Sequence, residues 1–205
     1  VLVGSRADEP AADHEQSFAR LLAVARQDPE HADFQRLRLS FAATRGYHPD
    51  GPGAIDPTPV ESELGNGERA AALVALDRVL LNHWTDIAAH DYAISVCQRI
   101  SHAQRERLHR TFLEGLARSI LDSGDGRTPE SAWRVISDAE EALLLHALRA
   151  SLEHRESLDH QGHALHRLTV RESDSSATRA LYINVDIPHG WRSNHAQRPE
   201  ESPAP

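Results

Sequence analysis

Apolar residues recur over the first part of the chain at the three- and four-residue spacing of a helix face. Phe18, Leu21, Leu22 and Ala25 mark a first helix, capped by Asp13, that runs to about Gln27 and ends at Asp28-Pro29. Phe34, Leu37 and Phe41 mark a second over about 31–45, with Gly46 as its stop. Leu73, Leu76, Val79 and Leu80 share one face of a third, about 68–83. Ala89, Ala93, Val96, Cys97 and Ile100 form the stripe of a fourth, about 86–99, capped by Thr85. Leu108, Phe112, Leu116 and Ile120 do the same for a fifth over about 102–122, capped by Ser101 and stopped by Gly124. The short connections predict antiparallel helical hairpins. Between the second and third helices, Tyr47 to Gly67 carries Pro49, Pro52, Pro57 and Pro59 and reads as a functional loop or an ordered wrap over the surface.

After Gly126 the period changes. Residues 132–137 read as a short strand, followed by a helix from Ala139 to about Leu148 with Asp138 as its cap. Three strand-like runs follow at 153–160, 163–171 and 178–187; in the last, Leu181, Ile183 and Val185 alternate with Tyr182 and Asn184. Gly162 and Ser173-Asp174-Ser175-Ser176 read as turns. The pattern predicts an α+β fold: about five N-terminal helices in antiparallel hairpins, then a small antiparallel β-sheet with one helix packed on it. It divides the chain into a flexible arm at 1–12, a helical layer at 13–126, a small α+β layer at 127–192 packed on it as one compact domain, and a disordered tail at 193–205.

Three blocks carry a resemblance. They are Phe34-Gln35-Arg36-Leu37-Arg38 continuing to Tyr47-His48-Pro49; Ser119 to Ala132 with Val135-Ile136 and Glu140-Glu141; and Leu181 to Pro188. In order and spacing they resemble an uncharacterised bacterial family, domain of unknown function 4919, over roughly residues 30–190. The resemblance implies helices followed by a small sheet and an exported bacterial protein, and it brings no established activity. The chain departs from similar sequences at Ala142, where they usually carry Tyr, and at His166, where they usually carry Asp.

Composition narrows the function classes. The formal charge is −9, with 31 acidic residues against 22 basic ones. This disfavours nucleic acid as a partner, because phosphate contacts need a cationic surface. All the basic residues are Arg, a residue suited to bidentate recognition of acidic groups. No apolar run approaches the ~20 residues of a transmembrane helix. The chain has no Met, even at position 1; with Val1-Leu2-Val3-Gly4-Ser5 this raises the expectation of a removed leader and a periplasmic or cell-envelope location, with the cytoplasm as the alternative. The lone Cys97 forms no internal disulfide and reads as a buried thiol.

The 14 histidines raise metal binding, but their spacings match no zinc pattern and His14-Glu15 does not continue as H-E-x-x-H. Neither a metal nor a cofactor is expected. The Asp122 to Gly126 segment fails the calcium-loop spacing and reads as a tight turn, with Thr128 as N-cap and Pro129 at the first helical position. The candidate catalytic residues are His90, His109, Asp125, Glu140 and Glu141, which could do acid–base work if they met in a cleft; first-turn carboxylates such as Glu140 and Glu141 also simply suit a helix dipole. Nucleophile elbow, phosphate loop and dinucleotide fingerprint are absent. Trp191 and Arg192, with Tyr47, are the candidate binding residues. Trp191 reads either as a clasp tucked over the helical layer or as an exposed anchor. The leading expectation is a non-enzymatic protein-binding module, with an immunity protein against a secreted toxin as a sub-case; a hydrolase and a histidine-based metal binder are the alternatives.

Overall fold

The structure is a computed structural model that describes residues 11–51, 53–173 and 177–196. The expected arm lies largely, and the expected tail partly, outside the described residues. The chain divides into two compact units. The first runs to Tyr47 and resumes after Gly51 as far as Ser119; the second takes His48–Gly51 and the chain from Ile120 onward. The fold is α+β, with helices filling the N-terminal part and a four-stranded sheet following.

The first unit holds α1 (Ala11–Gln27), α2 (Phe34–Phe41), α3 (Thr58–Gly65), α4 (Arg69–Val79), α5 (Ile87–Arg99) and most of α6 (Ala103–Leu121). The apolar stripes supply its core: Leu37, Leu76, Leu80, Ala89, Ala93, Val96, Cys97, Phe112 and Leu116 are all buried. Helix α2 is shorter than its pattern suggested, because Pro29–His31 forms a separate 3-10 turn and Asp33 caps the helix by accepting from the Arg36 N–H at 2.9 Å. Asp86 rather than Thr85 caps α5, accepting from the Ala88 N–H. The 47–67 segment is not a plain loop, since α3 lies inside it. Asp56 accepts from the Thr58 N–H, and Pro59 occupies the first turn, where a missing N–H costs nothing. Gly115 sits mid-helix because the Phe34 ring occupies the place a Cβ would take. That contact outweighs glycine's intrinsic cost in a helix.

The second unit holds β1 (Trp133–Arg134), α7 (Asp138–Ala147), β2 (Ala150–His160), β3 (His163–Glu172), β4 (Thr178–Asn184) and α8 (Asp186–Ala196). The sheet order is β1-β4-β3-β2. It is mixed rather than wholly antiparallel, because β1 pairs parallel with β4 (Trp133 opposite Ile183). No hairpin links those two strands, so no turn forces them to run antiparallel. β1 is shorter than the expected 132–137 run, since Ser137 leaves the ladder to cap α7 through the Glu140 N–H. β2 and β3 form a hairpin closed by Gln161-Gly162, both with positive φ, the backbone that a two-residue turn between twisted strands requires. The expected alternation in β4 holds: Leu181 and Ile183 are buried, Tyr182 and Asn184 half-buried, and Val185 is buried just beyond. Helix α7 packs on the sheet, against β2.

Residues 186–196 form a helix where strand end and tail were expected. Asp186 lies in its first turn, Asn184 accepts from the Asp186 N–H at 3.1 Å, and Pro188 again falls in a first turn that needs no donor. Gly126 has φ +66, and a Cβ there would strike the Trp133 ring, so only glycine serves at this bend.

Candidate functional site

His90 and His109 meet in the centre of the first unit. Helix α5 supplies one and α6 the other, and both rings are fully buried. Their Nδ1 atoms are 3.1 Å apart, and His90 Nε2 lies 3.1 Å from the Trp84 carbonyl oxygen. A carbonyl only accepts, so His90 carries its proton on Nε2 and accepts on Nδ1. His109 must then donate from Nδ1, which leaves its Nε2 as a bare lone pair. That atom has no hydrogen-bond partner among the described residues. Trp84 stacks on His109 at 5.8 Å and Phe112 on His90 at 5.0 Å, while the Arg26 guanidinium lies 4.5 Å from the Trp84 ring centre. Burial drives the His90 pKa down to about 4, against the opposing pull of the Trp84 carbonyl. Burial drives His109 down to about 3, with help from the neighbouring His90 and Arg105. Both rings are therefore neutral at physiological pH, and bases this weak do little proton transfer there.

The three carboxylates singled out with them belong to the second unit. Asp125 accepts from the Ser131 hydroxyl at 2.5 Å and the Arg127 N–H at 3.0 Å, and the Ser131 bond leads in holding its pKa below the usual carboxylate value. The turn around it is closed by the expected Thr128 cap, a reciprocal Thr128–Ser131 capping box with Pro129 at the start. Glu140 is buried, and its Oε2 accepts from the Ile136 N–H at 2.8 Å. Glu141 is also buried. Its Oε2 lies 2.6 Å from His166 Nδ1, and its Oε1 pairs with the Arg155 guanidinium.

The Glu141–His166 pair was not among the candidates. Its signal was faint: an even-numbered β3 position, in phase with Leu168 and Val170, that carries His where apolar residues would face the helix. Arg155 stands opposite Leu168, and Ser157 opposite His166, in the β2–β3 register. Arg38 is a buried polar residue that periodicity did not flag. It is 1% exposed within the α2 stripe, and its Nη1 donates to the Ser119 hydroxyl at 3.0 Å.

Tyr47 is buried, edge-on to Phe41 at 6.0 Å. Trp191 sits half-buried in α8, stacked on His195 at 3.8 Å with His48 edge-on at 4.3 Å. Arg192 Nη2 donates to Asp50 at 2.8 Å and to Asp138 at 2.7 Å. Among the described residues no group of three or more His, Cys, Asp or Glu side chains is placed to hold a metal ion, and no helix is long and apolar enough to cross a membrane. The chain matches no family model, and no curated protein and no solved structure matches it.

Proposed function

We propose that this chain is a non-enzymatic protein-binding module of the bacterial cell envelope, related to the family its three sequence blocks resemble, and that it acts as an immunity protein against a secreted toxin. The observation that carries the reading is β2. It is eleven residues long, stands at the edge of the sheet, and every residue from Ser151 to Glu156 is exposed. An open edge offers backbone donors and acceptors to a partner strand. The bulge between Leu152 and His154, together with Glu153, Glu156 and Asp159, blocks indiscriminate pairing. With the net charge of −9, it selects a basic partner. The neutral, sealed histidines of the first unit support a binding role over acid–base chemistry. The test is affinity of the purified chain for the protein encoded beside it, and rescue of cells expressing that protein. Binding should weaken about tenfold or more when Glu156 and Asp159 are both changed to Lys. No protein partner at any salt concentration, or binding indifferent to those changes, overturns the reading.

A second reading, a hydrolase, is favoured by one distance, the 2.6 Å between Glu141 Oε2 and His166 Nδ1. A carboxylate holding one imidazole nitrogen leaves the other as a base, here with Ser157 across the strand pair. Ester and amide substrates turned over by the protein and lost in His166→Gln would support it. Equal turnover by that variant would remove it.

A further inference from the structure

The first unit contains a cleft of about 370 Å³ between the start of α1, the end of α2 and the turn at 81–85, a volume at the small end of ligand sites. Phe18, Phe41, Leu81 and Trp84 supply its apolar wall, and Glu15 and Asn82 stand among the polar groups lining it. Several features set it apart from an ordinary surface dip. Phe18 and Phe41 are only half-buried, and their rings meet at 5.3 Å and 50°, so they form two differently inclined walls. Leu81 is 72% exposed, the most exposed large apolar side chain of those described. Glu15 is exposed, and its Oε1 accepts from the neutral Arg45 N–H at 2.7 Å, a bond that leaves the carboxylate its charge.

We propose that this cleft binds a small organic cation, an alkylammonium or alkylguanidinium, with its apolar stem against Phe18, Phe41 and Leu81 and its charged head at Glu15. Aromatic faces attract cations through the negative charge of their π-systems, and a carboxylate at the rim fixes the head. Trp84 already receives a cation in this way, since Arg26 lies over its ring at 4.5 Å. Leu81 and the two phenylalanines otherwise keep apolar surface in water, and a stem of four or five carbons would cover it. The site belongs to the first unit and is independent of the partner assigned to β2.

The test is calorimetric and fluorescence titration of the intact protein with butylammonium and butylguanidinium chloride, against sodium chloride at equal ionic strength and n-butanol as the neutral analogue. Both cations should saturate one site. Glu15→Gln keeps the acceptor for the Arg45 N–H and removes only the charge, and it should weaken both about tenfold. Phe41→Leu should weaken them while leaving the far-ultraviolet spectrum unchanged. Absence of saturable binding, equal affinity for n-butanol, or cation affinity unchanged in Glu15→Gln would each overturn the proposal.

Discussion

The centre of the first unit and the sheet of the second treat histidine in opposite ways. At the centre of the first, His90 and His109 bond to each other and to a backbone carbonyl within an aromatic cluster. In the second, His166 meets Glu141 at 2.6 Å, His163 meets Asp186 at 2.7 Å and His160 meets Glu130 at 2.9 Å. In the His163 pair the acid side responds. Asp186 is pushed up by burial, but bonds from His163, Asn184 and the Ala164 N–H outweigh this and hold it below its usual value. A buried histidine without a counter-charge is a small, flat, neutral packing unit; one beside a carboxylate is half of an ion pair. The same residue type is thus core material at the centre of the first unit and a carboxylate partner around the sheet of the second, as it also is at the first unit's His31–Asp28 and His83–Asp86 pairs.

The hardest way to break this contrast is to open the aromatic cluster. Phe112→Ala should cost about 3–5 kcal/mol, as large aromatic deletions in cores do, and should raise the His90 pKa from about 4 towards the ordinary histidine value as water enters. Denaturant unfolding and NMR titration of the ring protons check the two halves. An unshifted His90 would mean that burial by Phe112 is not what keeps it neutral.

Next in size is the pH response. Both core histidines titrate below the ordinary value in the folded state, so the unfolded chain takes up protons that the folded chain refuses. Stability is full above about pH 6.5 and falls as pH drops from there towards 4, by about 1.4 kcal/mol per pH unit for each histidine. Thermal unfolding between pH 7 and 4.5 should show this loss, and His109→Leu should roughly halve its slope. A slope untouched by that change would place the proton uptake elsewhere.

Glu141→Gln probes the second unit. It removes the charge between Arg155 and His166, and should cost about 2 kcal/mol. That is less than the ~3–5 kcal/mol of breaking a fully buried pair, because the Arg155 side chain is 46% exposed. Denaturant unfolding checks this, and the loss should be much smaller in an Arg155→Ala background if Arg155 is the main partner. The smallest effect belongs to Arg192→Ala. Its contacts with Asp50 and Asp138 are 2.8 and 2.7 Å, but the groups are 41–63% exposed. Loss of at most ~1 kcal/mol, shrinking with added salt, is expected in melting experiments. A larger, salt-independent loss would show that Trp191 packing, not charge, holds α8.

Much of the fold was legible in the sequence because its elements bury one face each. The Phe18, Leu76, Val96 and Leu116 stripes and the Leu181–Ile183–Val185 alternation are periodic signals that survive without neighbours. The Thr128-Pro129 cap and the Gly162 turn are equally local, being set by side-chain hydrogen bonds and by φ. Helices α3 and α8, which carry a proline in the first turn, were not legible. Pro59 lay in the expected loop and Pro188 just beyond the last expected strand, yet they stand in the first turns of α3 and α8, where helix and loop ask the same of one residue.

What the sequence by itself determined is therefore the α+β order, the apolar faces and the turn chemistry, all of which depend on residues within about one helical turn or one strand of each other. Only the tertiary structure decided that His90 faces His109 nineteen residues on, that Glu141 takes His166 and Arg155 as partners, and that β1 runs parallel to β4. Titration and pairing of these groups depend on burial and on charges brought from distant segments, and neither quantity exists until the chain has closed its loops.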